Sequence, residues 1–87
     1  MDKYRKKPVV IEAIQWDGTV DSFEKIEEFA GDYGVVIEDT RIMVETWEGW
    51  KGGTPGYWII KGVKGEVYPC KPDIFELTYE PVEGEDV

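Results

Sequence analysis

The sequence predicts a small α+β domain: a mostly antiparallel sheet with one helix packed on it. Three observations lead there. Apolar residues recur at helical spacing in one segment only, between Thr19 and Gly31. Short β-branched or alternating runs punctuated by glycine, proline and aspartate fill most of the remainder. At 87 residues the chain suits one domain, expected over residues 1–80, with an acidic, flexible tail at 81–87.

The first strand is expected over residues 9–16, Val-Val-Ile-Glu-Ala-Ile-Gln-Trp, where alternate residues divide between two faces. Asp17-Gly18 ends it as a turn. The helix follows, capped by Thr19 or Asp21, whose short side-chain oxygens can accept from free N–H groups of the first turn. Phe23, Ile26, Phe29 and Ala30 form its inward stripe, and Glu24, Lys25, Glu27 and Glu28 face water. Gly31 stops it. Val35-Val36-Ile37 reads as a strand, and Arg41 to Thr46 as another. Residues 47–56 are dense in glycine and read as a loop. Residues 57–61 and 66–68 read as a hairpin, which Pro69-Cys70-Lys71-Pro72 terminates. Asp73-Ile74-Phe75 reads as one helical turn capped by Asp73, and residues 77–79 as a last short strand.

Composition narrows the chemistry. The chain has no His, which removes the commonest general base and metal ligand and any Ser-His or Cys-His pair. Its single Cys, Cys70, permits no internal disulfide and no thiolate zinc cage. No run reaches the roughly 20 apolar residues that span a bilayer. The expectation is a cytoplasmic protein with no enzymatic activity, no cofactor, no metal and no membrane partner. The glycine-rich stretch from Gly49 to Gly56 lacks the Gly-Lys-Ser/Thr ending of a phosphate-binding loop and has no helix after it. The adjacent carboxylates Glu27-Glu28 and Glu38-Asp39 do not converge on one face.

Charge is unevenly distributed. The net charge is −9, so direct binding of nucleic acid is not expected. Residues 3–11 nevertheless carry +4 and residues 61–71 carry +2, leaving −15 on the rest. The basic blocks also hold aromatic residues. Lys6, Lys7, Trp16, Lys61, Lys64, Tyr68, Lys71 and Asp73 are the candidate residues for a small anionic ligand. Lys7, Lys71 and Tyr68 are the foremost phosphate and base contacts among them. The competing reading of the proline-flanked bend is a structural turn that directs Phe75 into the core. Trp47 and Trp50 lie where no core pattern reaches. They read either as partner-binding residues, since tryptophan dominates binding hot spots, or as anchors tucked onto their own domain. Four Trp, five Tyr and three Phe exceed what one small core hides, and together with open sheet edges they suggest a homo-oligomer.

Two long blocks carry a resemblance. Residues 3–16, Lys-Tyr-Arg-Lys-Lys-Pro-Val-Val-Ile-Glu-Ala-Ile-Gln-Trp, resemble the start of a family of small phage and prophage proteins. Residues 56–76, from Gly-Tyr-Trp-Ile-Ile-Lys-Gly through Pro-Cys-Lys-Pro-Asp-Ile-Phe-Glu, resemble its ending. The family is the PGDYG type, named for a Pro-Gly-Asp-Tyr-Gly segment. Here Pro55-Gly56 is followed by Tyr57 and not by Asp, so no role tied to that acid carries over. The resemblance implies a viral or prophage origin, and with it a bacterial host, but no activity. Two modes of action fit such a protein. One is a counter-defence sponge that sequesters a nucleotide-derived immune signal. The other is an acidic, DNA-mimicking inhibitor of a host enzyme. A structural phage interaction module is the third reading.

Overall fold

The computed structural model describes residues 1–5 and 7–82. Its elements in order are β1 (Glu12–Gln15), α1 (Val20–Ala30), β2 (Val35–Glu38), β3 (Arg41–Thr46), β4 (Gly49–Gly53), β5 (Trp58–Lys61), β6 (Val67–Cys70) and α2 (Pro72–Thr78). The α+β class holds. The strands divide into two three-stranded antiparallel sheets, ordered β1-β5-β6 and β2-β3-β4. No described helix is long and apolar enough to cross a membrane.

The start of α1 is built from short polar side chains. Thr19 is the N-cap and its hydroxyl accepts from the Ser22 N–H at 3.1 Å. The Asp17 carboxylate accepts from the Thr19 N–H at 2.9 Å and from the Thr19 hydroxyl. These bonds hold the Asp17 carboxyl below its usual range. Asp21 lies inside the first turn and pairs with Lys25. At the other end Gly31 takes a φ of 65°, a left-handed conformation that glycine adopts without steric cost.

One core joins both sheets to α1. Ile26 and Ala30 of the helix meet Val35, Ile42 and Val44 of the second sheet and Ile59 and Val67 of the first. Phe23, Phe29, Tyr33 and Ile14 pack around them. Trp16 is at the centre, 1% exposed, and its indole N–H donates to the Thr40 carbonyl at 3.2 Å. Strand alternation places Trp58, Ile60 and Tyr68 on the opposite face of the first sheet. There Phe75 of α2 stacks on Trp58, with centroids 4.3 Å apart and planes 8° from parallel.

The structure departs from the sequence expectations in four elements. β1 is confined to Glu12–Gln15. The segment expected to be a glycine-rich loop contains β4, paired with β3 from Thr46↔Gly49 to Ile42↔Gly53. Gly52 and Gly53 suit this strand because neighbours occupy the space of a side chain: Met43 lies over Gly52 and the Tyr57 ring over Gly53. Pro69 and Cys70 do not break β6 but belong to it. The Gly62 N–H donates to the Glu66 carbonyl, which fixes the alternation and leaves Ile59↔Pro69 a non-hydrogen-bonded pair. Proline therefore costs no ladder bond on this edge strand. Finally, α2 runs through Thr78, so residues 77–79 form no strand. Of the expected acidic tail, residues 83–87 lie outside the described residues.

Candidate functional site

The β3–β4 connection is a tight turn with Trp47 and Glu48 at its tip. The Thr46 hydroxyl donates to the Gly49 carbonyl and accepts from the Glu48 N–H at 3.1 Å, closing the turn from inside. Trp47 therefore projects outward and is 64% exposed. It is not loose, because its indole N–H donates to the Tyr33 hydroxyl at 2.8 Å. Tyr33 follows α1 and packs against the core, so the core orients an exposed ring.

Between this turn and β6 lies a cleft of about 370 Å³, lined by Thr46, Trp47, Glu48, Lys51, Glu66, Val67, Tyr68 and Pro69. Its surroundings hold two ammonium and two carboxylate groups. Lys51 pairs with Glu48 at 3.4 Å on the exposed rim, a contact easily exchanged for another anion. Lys64 Nζ stands 5.9 Å from the Trp47 ring centroid. Glu66 is occupied structurally, since its carboxylate accepts from the Lys64 N–H at 3.0 Å and pins the β5–β6 turn. An oriented indole face, apolar wall residues and two cations with weak prior commitments can hold a planar, anionic molecule. No group of His, Cys, Asp or Glu among the described residues is arranged to hold a metal ion.

The sequence-predicted ligand residues scatter. Trp16 is corrected: a residue 1% exposed, with its only side-chain polar atom bonded to Thr40, cannot meet a ligand. Lys6 lies outside the described residues. Lys7 is exposed in the segment before β1. Lys61 is half-buried and lays its ammonium 4.6 Å from the Phe29 centroid. Lys71 occupies the N-cap position of α2 without a side-chain cap bond. Asp73 accepts from the Ile74 N–H at 2.8 Å in the first turn of that helix, and neither residue lines the cleft. Tyr68 does line it, but its hydroxyl is committed elsewhere: burial, then a hydrogen bond with Tyr79, pushes its pKa up to about 12. Lys64 and Tyr68 are thus the predicted ligand residues that meet at the Trp47 cleft.

The predicted partner residues Trp47 and Trp50 are both exposed and both anchored. Trp50 lies over Gly34, where a Cβ would meet the indole Cη2 at 2.6 Å. The Glu45 carboxylate holds the Gly34 N–H beside it at 3.0 Å. Sequence reasoning missed Tyr33 and Lys51. Lys51 could be found only by pairing β3 with β4, and Tyr33 carries no sequence signal for its bond to Trp47. Cys70 is half-buried, and burial followed by the charge of Asp73 raises its pKa. The thiolate is therefore disfavoured, opposite to what the neighbouring Lys71 suggests.

Comparisons with protein-family models, curated proteins and solved structures found no match to the chain.

Proposed function

We propose that the protein is a phage-encoded binding protein that holds a nucleotide-derived small molecule in the Trp47 cleft and sequesters it without turnover. The observation that carries this reading is an exposed tryptophan locked by Tyr33 over a cleft with Lys51 and Lys64 at hand. A base stacks on the indole face, and phosphates exchange with Glu48 for Lys51 and draw on Lys64. Stacking of this kind accepts any base and contributes about 1–3 kcal/mol. The absence of histidine from the sequence favours holding over hydrolysing. Viral origin rests on the resemblance of residues 3–16 and 56–76, and the role as a counter-defence sponge rests on that origin.

Isothermal titration calorimetry with cyclic dinucleotides and ADP-ribose-derived compounds tests the reading. It expects saturable micromolar binding, with the ligand recovered chemically unchanged. No heat from any of them at high micromolar concentration contradicts it.

A second reading, the acidic inhibitor of a host enzyme, draws support from α1. Asp21, Glu24, Glu27 and Glu28 are exposed on it, with Lys25 as the accompanying cation. Capture of a basic host enzyme that survives loss of the Trp47 ring but not reversal of Glu24 and Glu28 to Lys favours this second reading.

A further inference from the structure

β1 has a strand partner on one side only, β5. The bonds just beyond the pair fix which backbone groups face it. The Trp16 N–H donates to the Tyr57 carbonyl at 2.8 Å, and the Gly56 N–H donates to the Trp16 carbonyl at 2.7 Å. By alternation Ile14 and Glu12 also face β5, while Gln15 and Ala13 direct their N–H and C=O groups to the open edge. The backbone groups of Ala13 and Gln15 on that edge enter no hydrogen bond among the described residues.

The chain before β1 leads into this edge. Residues 1–5 and 7–10 form neither helix nor strand and are exposed. Tyr4 is 91% exposed and Val10 67%, with Val9 about half exposed. Lys3, Arg5 and Lys7 form no ion pair among the described residues, where the pairs are Lys25–Asp21 and Lys51–Glu48. A cationic, partly apolar arm, without ion pairs among the described residues, thus leads into an open strand edge, on a chain whose net charge is −9.

We infer that this edge and its arm pair with a second copy of the same chain, antiparallel, joining two three-stranded sheets into one six-stranded sheet. The edge is complementary to itself. A two-fold axis at Ile11 sets Ile11 against Ile11, Ala13 against Val9 and Gln15 against Lys7. All are odd-numbered positions, so once the arm pairs as strand all present outward groups, and every such pair is hydrogen-bonded. Extended further, the same register sets Arg5 opposite Asp17 of the second copy and brings Lys3 toward the start of its α1. A shift of two residues sets Lys7 against Asp17 instead, so the charge match survives the alternative. Asp17 is exposed. Pairing also covers Val9 and Val10 and closes an edge that would otherwise template aggregation. Nucleic acid is the competing occupant of a basic arm, and the acidic body opposes it.

Sedimentation velocity across a concentration series tests the inference, at about 0.1 M and about 1 M salt, between which the Debye length falls from about 10 Å to about 3 Å. The expected result is a dimer whose dissociation constant rises at high salt. Ala13→Pro removes an outward N–H without touching a bond to β5, and is expected to give a monomer with unchanged far-UV circular dichroism. Should that variant fold poorly, Arg5→Glu with Lys7→Glu decides, with an expected rise in dissociation constant of at least tenfold. A wild-type monomer at every concentration overturns the inference. So does a dimer indifferent to these substitutions, or saturable micromolar binding of duplex DNA that the charge reversals abolish.

Discussion

Replacing Trp16 by Phe separates a core residue from a ligand residue. Trp16 is 1% exposed and central to the core that α1 shares with both sheets. Truncating such a side chain to alanine costs about 3–5 kcal/mol. Phenylalanine keeps one ring, so the void it leaves costs about 1–2 kcal/mol. The lost bond from the indole N–H to the Thr40 carbonyl adds about 1 kcal/mol, and no more, because Thr40 is exposed and its carbonyl can turn to water. The total is about 2–3 kcal/mol. A chain of 87 residues has about 4–13 kcal/mol of stability at the usual per-residue range, so the variant should remain folded but lose a large share of its margin. For a domain of this size the midpoint should fall by about 10–20 °C. Urea titration and thermal melting followed by circular dichroism measure both quantities. A change below about 0.5 kcal/mol would refute the reasoning. Unchanged melting with lost ligand binding would return Trp16 to the ligand site.

Three other outcomes follow from the same structure. Gly53→Ala should destabilise by about 1–3 kcal/mol or more, because the new Cβ meets the Tyr57 ring inside the buried end of β4; a neutral result in urea titration counts against the packing described. Alkylation of Cys70 by iodoacetamide at pH 8 should be slower than that of a free cysteine, and Asp73→Asn should accelerate it, since burial and then that carboxylate disfavour the thiolate; a rate at or above that of free cysteine contradicts this. Asp17 has a folded-state pKa below its ordinary 3.8, so its contribution is present above that value and is lost as pH falls through the lower, folded one. The stability difference between wild type and Asp17→Asn should accordingly shrink below pH 3.8, and a difference constant from neutral to acid pH would count against the carboxylate's role at the helix start.

The parts of the fold legible in the sequence were those governed by local chemistry. Thr19, the Ile26–Ala30 stripe and Gly31 bracket α1 because capping, helical period and left-handed termination are each written in a few adjacent residues. β3 falls on Arg41–Thr46 because its alternation is clean. β4 was illegible because Gly52 and Gly53 argue for a loop locally, while their suitability for a strand depends on Met43 and Tyr57. Pro69 misleads for a related reason: whether proline breaks a strand depends on which edge its nitrogen faces. The candidate site was half legible. Charge segregation drew attention to Lys64 and Tyr68, and the lack of a core pattern to Trp47. It also swept in Trp16, whose alternating neighbours leave open which face of β1 turns inward. Tyr33 escaped because its bond to Trp47 spans fourteen residues and exists only once the second sheet is assembled.

The central claim is that the Trp47 ring, held by Tyr33, is a stacking surface for a bound ligand. The most direct test is calorimetric titration of Trp47→Ala against whichever nucleotide-derived compound the wild type binds, beside Trp50→Ala as a control. Loss of one stacked base predicts an affinity about 5- to 150-fold lower for Trp47→Ala, corresponding to about 1–3 kcal/mol, with Trp50→Ala near wild type. Equal affinity for Trp47→Ala and wild type, with both proteins folded, would contradict the claim.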